Sequence, residues 1–317
     1  MRVLITGMSG FAGSHLADLL LDQTHWTLIG ISRTTEGQRA SPRVFWWKLD
    51  LSDRDGLLRL LKFERPDLIV HLAAQSNVPI SWQDPWATYE TNVRAQLNLL
   101  QGVIDAKLSP RILISSSNEV YGRPVSPVDL PFREDHPLRP VNPYAVSKAT
   151  QDLMALQYHL SHQLDVVIAR PFNHIGPGQS ERFVASAFAQ TIAKIEAGLS
   201  EPVMLLGNMA AERDFTDVRD VARAYLALIQ KADGGQPYNV CSGRPCPVQS
   251  LLDVMLSLSS AKIEQRIDPA RLRVADIPVS FGDPARIRHA TGWEARIPFE
   301  QTVADILNYW RERIRQH

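Results

Sequence analysis

Tyr144-Ala-Val-Ser-Lys148 sets a phenol and an amine four residues apart. On a helix that spacing brings both to one face. An ammonium beside a phenol favours the phenolate and lowers its pKa. Such a tyrosine can exchange a proton with a carbonyl or a carbinol near neutral pH. Ile114-Ser115-Ser116-Ser117 closes a short apolar run, and one of its hydroxyls could hold a substrate oxygen beside the tyrosine. Gly7-Met-Ser-Gly10-Phe-Ala-Gly13 is the third group. Its glycines permit a tight turn, close approach of backbone to a pyrophosphate, and close packing of helix on sheet. The free N–H groups of a following helix would then face the phosphates. Each group alone also fits something ordinary: a surface Tyr/Lys pair, a serine-rich turn, a glycine turn. Their joint context carries the argument.

These groups need a frame. Short apolar runs at 2–6, 26–31, 44–49, 68–72, 111–115 and 165–169 read as strands. Helical spacing appears at 11–21, 53–63, 89–106 and 143–160, with Ser52 placed to cap the second of these. Strands alternating with helices imply a doubly wound parallel sheet, an α/β Rossmann-like fold. Near-continuous apolar strands fit a sheet covered on both faces. The glycine loop then falls between the first strand and first helix, and the serines at a strand's carboxyl edge. After Arg170 the rhythm changes, with Pro171, Pro177, Gly178, Pro202 and Gly207 and helical patterns at 186–197, 218–230, 248–257 and 301–313. The expected division is a dinucleotide-binding domain over 1–171 and a smaller α/β substrate lobe over 172–317. Residues 217–241 are expected to pack back onto the first domain.

Acidic and basic residues balance at 34 each, so no global field draws the chain to nucleic acid or membrane. Cys241 and Cys246 are the only cysteines, too few for a disulfide scaffold or a zinc site, and no metal is expected. No apolar run approaches a membrane span and no leader of the secretory type is visible, so the expected location is cytoplasmic. The second strand ends Gly30-Ile31-Ser32-Arg33. An NAD site usually offers a carboxylate there, and an NADP site an arginine. Arg33 favours NADP(H), with NAD(H) left open, since Glu36 lies close by and Arg33 could simply be solvated.

At this point the chain resembles the extended short-chain dehydrogenase/reductases. The matching pieces are Gly7-x-x-Gly10-x-x-Gly13, Asp50-Leu-Ser-Asp53, His71-Leu-Ala-Ala74, Thr91-Asn-Val93, Ser117-Asn-Glu-Val-Tyr-Gly122 and Tyr144-x-x-x-Lys148. The resemblance implies a cofactor held by Gly7, Ser9, Gly10, Phe11, Ala12, Gly13, Arg33, Asp50, Leu51, Leu72, Ala73 and Ala74. It makes Tyr144 the acid/base, Lys148 its partner on the nicotinamide ribose, and Ser117 the group at the sugar C4 oxygen.

Phe172-Asn-His-Ile-Gly-Pro-Gly-Gln179, Leu206-Gly-Asn-Met209 and Arg213-Asp-Phe-Thr-Asp-Val-Arg-Asp220 are similar to the branch that handles GDP-mannose-derived sugars. That implies a GDP-linked deoxy-sugar held by Ser76, Asn118, Asn173, Phe183, Val184, Asn208, Arg213 and Arg273. The implied reaction is reduction of the C4 ketone of GDP-4-dehydro-6-deoxy-D-mannose to GDP-D-rhamnose by NADPH. The alternative is 4,6-dehydration of GDP-mannose, which needs a base where Glu119 stands; other epimerases or a non-catalytic NADP sensor rank lower. The dehydratases carry a longer insertion after the second strand, and here Arg33 runs quickly to the third. Relatives also imply a homodimer through a four-helix bundle, for which Leu99, Leu153, Met154 and Leu156 are candidate intersubunit positions. Periodicity alone fits packing on the sheet equally well.

Overall fold

In the computed structural model, which describes residues 1–34, 38–269 and 277–316, the first half follows the sequence rhythm. Strands β1 (Arg2–Thr6), β2 (Thr27–Ser32), β3 (Val44–Lys48), β4 (Leu68–His71), β5 (Arg111–Ser115) and β6 (Val166–Pro171) come in order. Between them lie helices α1 (Phe11–Gln23), α2 (Arg54–Glu64), α3 (Val78–Gln83), α4 (Pro85–Tyr89), α5 (Ala95–Asp105) and α6 (Pro143–His162). Then follow β7 (Asn173–Ile175), α7 (Val184–Glu196), β8 (Val203–Leu206), β9 (Glu212–Asp217), α8 (Val218–Lys231) and β10 (Pro237–Val240). The chain ends with β11 (Pro245–Pro247), α9 (Val248–Ser257), β12 (Glu264–Ile267), β13 (Val279–Ser280), α10 (Ala285–Thr291) and α11 (Phe299–Arg315).

Seven parallel strands form the main sheet in the order β10-β6-β5-β4-β1-β2-β3. The chain winds outward in both directions from β1. That creates a crevice at the carboxyl ends of β1 and β4, where such sheets bind ligands. Side chains alternate across the sheet: Val3 and Ile5 pack with Leu16 and Leu20 of α1, and Leu4 with Ile29, Leu57 and Leu99 on the other face. Each fully buried aliphatic is worth roughly 1.5–3 kcal/mol, so both faces reward apolar residues and the strands read as unbroken runs. The outermost strand β10 comes from the second half of the chain and pairs with β6, Pro237 opposite Ile168. Helix α8 packs on the same face as α1, with Val221, Tyr225 and Leu228 in one cluster with Leu16 and Leu20.

The smaller lobe has its own core. Phe188 and Ile192 of α7 meet Leu251 and Met255 of α9 and Ile306 and Trp310 of α11. Strand β9 is central here, pairing with β7, β11 and β13. A separate two-stranded ribbon joins β8 to β12. Among the described residues no helix is long and apolar enough to cross a membrane.

Two expectations need correcting, and one open alternative narrows. The cap of α2 is Asp53, not Ser52: the Asp53 carboxylate accepts from Gly56 N at 2.9 Å, while Ser52 N bonds Asp50 Oδ1 at 2.8 Å. The helix expected at 89–106 is interrupted by a π turn over Glu90–Arg94. The reason sits at its centre. Buried Asn92 gives Nδ2 to Gln75 O at 3.0 Å and to Ser147 Oγ at 2.9 Å, while its Oδ1 takes Gln75 N at 2.7 Å. Those bonds tie the turn to the segment after β4 and to α6. Lastly, Leu99 is fully buried in the sheet core, and Met154 and Leu156 pack against that same core. Of the four proposed intersubunit positions, only Leu153 is substantially exposed, at 58%.

Candidate active site

A cavity of about 1010 Å³ runs from the carboxyl ends of β1, β2 and β4 into the smaller lobe. Every site residue singled out from the sequence lines it except Arg273, which lies outside the described residues, as does Glu36.

One end is built mainly from backbone. Gly7 has φ +72, and a Cβ there would come within 2.9 Å of Ala73 N. A Cβ on Gly13 would stand 2.2 Å from Gly7 O and 2.8 Å from Met8 Cα. Helix α1 therefore starts hard against the β1 turn, and only glycine allows it. Gly10 sits at the N-cap with no side-chain hydrogen bond to the helix. The first N–H groups of α1 are left for an anion, which the helix dipole also favours. Farther along, Arg33, Asp50, Leu51 and Arg94 line the same end. The Ser52 N–H holds the Asp50 carboxyl below its ordinary pKa, with help from Arg33 and Arg94.

Tyr144, Lys148 and Ser117 meet in the middle, buried to 8%, 4% and 6% exposure. Asn142 caps α6 through Ala145 N at 2.7 Å, and Pro143 opens it, so Tyr144 and Lys148 share its first turns. Lys148 Nζ donates to Ser115 O at 2.8 Å. Burial without a neighbouring carboxylate pulls the Lys148 ammonium down to about 7. The phenol behaves opposite to the sequence expectation. Burial pushes the Tyr144 pKa above its ordinary value, a hydrogen bond with Ser117 pulls back, and Glu119 raises it further. Desolvation of the phenolate dominates, and the Lys148 ammonium is not among the charges acting on it. Tyr144 is thus a protonated acid through neutral pH.

Ser117 also caps the short turn Asn118–Tyr121, taking Glu119 N at 3.2 Å. Glu119 Oε2 takes Asn142 Nδ2 at 3.0 Å. Asn118 Nδ2 reaches Ser280 Oγ at 3.2 Å, which ties the strand-end turn to the smaller lobe. Behind the centre, Arg170 holds Asp152 through two bonds of 2.8 and 3.1 Å, and Ser116 Oγ gives to the same carboxylate at 2.9 Å. That buried ion pair fixes α6 against β5 and β6.

The far end is built from side chains of the smaller lobe. Asn173 lies on β7 opposite Phe215, Phe183 and Val184 begin α7, and Asn208 follows β8. Arg213 NH1 donates to Glu212 O at 2.8 Å and Ile277 O at 2.7 Å. Its neighbour Asp214 is buried and takes Ser242 N, Ser242 Oγ and Gly243 N at 2.7–2.9 Å, pinning this part of β9. Sequence reasoning missed Arg94, His174, Arg182, Met209 and Tyr225 as lining residues. Tyr225 shares a 3.1 Å hydrogen bond with Ser115 Oγ from 110 residues away, and no local pattern signals that.

Three comparisons bear on this geometry. The family model described as GDP-mannose 4,6 dehydratase matches residues 4–306. A GDP-6-deoxy-D-mannose reductase from Pseudomonas aeruginosa is 37% identical over 316 residues, 99% of each chain. The solved structure of RMD from Pseudomonas aeruginosa complexed with NADPH matches with a TM-score of 0.88 at 36% identity, covering 98% of this chain and 99% of that one. A GDP-mannose 4,6-dehydratase from Yersinia enterocolitica is 28% identical over 360 residues, 100% of this chain and 95% of that one. With the glycine turn, the strand-end serines and Tyr144/Lys148 on one cavity of a seven-stranded sheet, the chain belongs to the extended short-chain dehydrogenase/reductases, a family of NAD(P)-dependent nucleotide-sugar epimerases, dehydratases and reductases.

Proposed function

We propose that this chain reduces the C4 ketone of GDP-4-dehydro-6-deoxy-D-mannose to GDP-D-rhamnose with NADPH. The carrying observation is the 37% identity to a GDP-6-deoxy-D-mannose reductase across 99% of both chains. That match spans 316 residues, whereas the match to the Yersinia dehydratase needs 360 for a chain of 317. Extra length in the dehydratase agrees with the short link after β2.

The site fits a nicotinamide dinucleotide. The tight Gly7/Gly13 packing and the uncapped start of α1 suit a pyrophosphate. Arg33 at the end of β2 favours a 2′-phosphate, by charge and bidentate geometry. When bound, the cofactor supplies the hydride. Tyr144 gives its proton to the oxygen at C4, for which its raised pKa keeps it loaded. Ser117 holds that oxygen. Lys148 would reach the ribose from the strand end it already touches. Asn173, Phe183, Val184, Asn208 and Arg213 would hold the nucleotide sugar, and Arg213 can neutralise a diphosphate by charge-assisted bonds. The proposed assembly is a homodimer, and Leu153 and Leu160 of α6, Trp82 of α3 and Trp86 of α4 are all exposed.

The test is turnover with the 4-keto sugar nucleotide and NADPH, with GDP-D-mannose and NADP+ in parallel. NADPH consumption in the first supports the reductase. A 4-keto sugar formed only in the second replaces it with the dehydratase.

A further inference from the structure

His15 lies on α1, two residues past the last glycine of the cofactor turn. Position alone assigns it to the cofactor. Its contacts run the other way. His15 Nε2 is 2.9 Å from the carbonyl of Pro177, which can only accept, so Nε2 carries the proton. The His15 ring meets Phe11 edge-on at 5.6 Å, and Phe11 stacks on His174 of β7 at 5.8 Å with planes 7° apart. Gln179 closes the loop from behind, giving Nε2 to His174 O at 3.0 Å and N to Gly176 O at 3.3 Å. Four residues farther the same segment presents Phe183 and Val184 to the cavity. Strand β7 pairs with β9, the strand of Arg213.

We propose that His15 is a positioning residue for the nucleotide sugar, acting from the cofactor helix. Its hydrogen bond and the Phe11–His174 stack seat the 174–184 segment, and with it the pocket for the nucleoside diphosphate. The inference rests on the assignment of the far end of the cavity to the nucleotide sugar. The His15 ring meets the glycine turn through the Phe11 ring, which passes that contact on to His174. Its loss is therefore expected to be felt more in the sugar half than in the cofactor half.

Calorimetry on the full chain tests this, with NADP+ titrated first and then GDP or UDP titrated into protein saturated with NADP+. His15→Ala is expected to weaken the nucleoside diphosphate about fivefold, the fold-change of one neutral hydrogen bond, and to move NADP+ by less than about twofold. His15→Gln keeps an N–H for Pro177 and is expected to recover most of the loss. A merely structural role would loosen both ligands and lower the melting temperature in both variants. Equal loosening of the two ligands, or no change in either, overturns the assignment. Wild-type preference for UDP over GDP would sink the guanine reading instead, and His15 is then read on UDP.

Discussion

The two ends of the cavity are made of different material. At the cofactor end, Gly7, Gly10 and Gly13 present main chain, and a single added Cβ at Gly13 would stand 2.2 Å from another residue's carbonyl oxygen. At the sugar end, Asn173, Phe183, Asn208 and Arg213 present side chains from four separate segments of the smaller lobe. On the proposed reading, backbone meets the diphosphate of the cofactor. Side chains on short strands and loops can change one at a time without disturbing the sheet. On the proposed reading, cofactor and nucleotide sugar are thereby held by different physical supports, with Tyr144 and Lys148 at the seam.

Breaking the seam has the largest effect. Tyr144→Phe removes the proton donor and leaves both ends intact, since the ring stays packed and only its hydroxyl is lost. Turnover is expected to fall by roughly 10²–10⁴-fold, with NADP+ and GDP affinities within about twofold of wild type. Near-normal turnover would remove Tyr144 from the mechanism. Gly13→Ala comes next, and tests the backbone end. The atoms its Cβ meets, Gly7 O and Met8 Cα, are main chain and cannot swing away. NADP+ binding is expected to weaken by at least about tenfold, at the scale of overpacking costs of 1–3 kcal/mol. Asn208→Ala, the matched change at the sugar end, should weaken GDP and spare NADP+. Equal loss of both ligands from Asn208→Ala would erase the distinction between the ends.

The same contrast decides what could be read from the sequence. The cofactor end was legible because it is local: strand, glycine turn and helix are contiguous, and each glycine answers one steric demand. The centre was half legible. Spacing placed Tyr144 and Lys148 together, but not the burial that reverses the expected shift of the phenol. The π turn at Asn92 was invisible because the partners of Asn92 lie 17 and 55 residues away, Gln75 and Ser147. Leu99 read equally well as an intersubunit position or as packing on the sheet, and it packs on the sheet. At the sugar end the motifs carried Asn173 and Arg213 by resemblance only, since nothing in their spacing brings β7 beside β9. His15 was legible as a residue of the helix and illegible as a contact of Pro177.

A smaller effect probes the seam by pH. Lys148 has a folded pKa of about 7, below the unfolded value near 10.4. Between these the unfolded chain binds more protons, so this group adds stability as pH rises through that window. Its contribution is fully present above the unfolded value and lost as pH falls through the folded one. Lys148→Met removes the titration but keeps the stem. Thermal melts at about pH 6 and about pH 9 should show the Met variant gaining most at the lower pH, with the gap narrowing at the higher. A gap independent of pH would mean that the lysine is charged in the fold throughout.

The smallest expected effect is the sharpest on function. Glu119 lines the cavity beside Tyr144, and its Oε2 takes Asn142 Nδ2 at 3.0 Å while Asn142 caps α6. In a reductase the carboxylate only braces that cap, since the one proton needed at C4 comes from Tyr144. Glu119→Gln preserves the shape, and the amide oxygen can still accept from Asn142. Reduction of the 4-keto sugar should then change by no more than about threefold, within the loss of one weakened hydrogen bond. In a dehydratase the same change removes the base for the proton at C5, and elimination should fall by roughly 10²–10⁴-fold. A large loss of reductase turnover in Glu119→Gln, with Tyr144 intact and α6 still folded, would make Glu119 a proton carrier. The division of labour drawn above, with proton transfer confined to Tyr144 at the seam, would then have to include the strand-end turn as well.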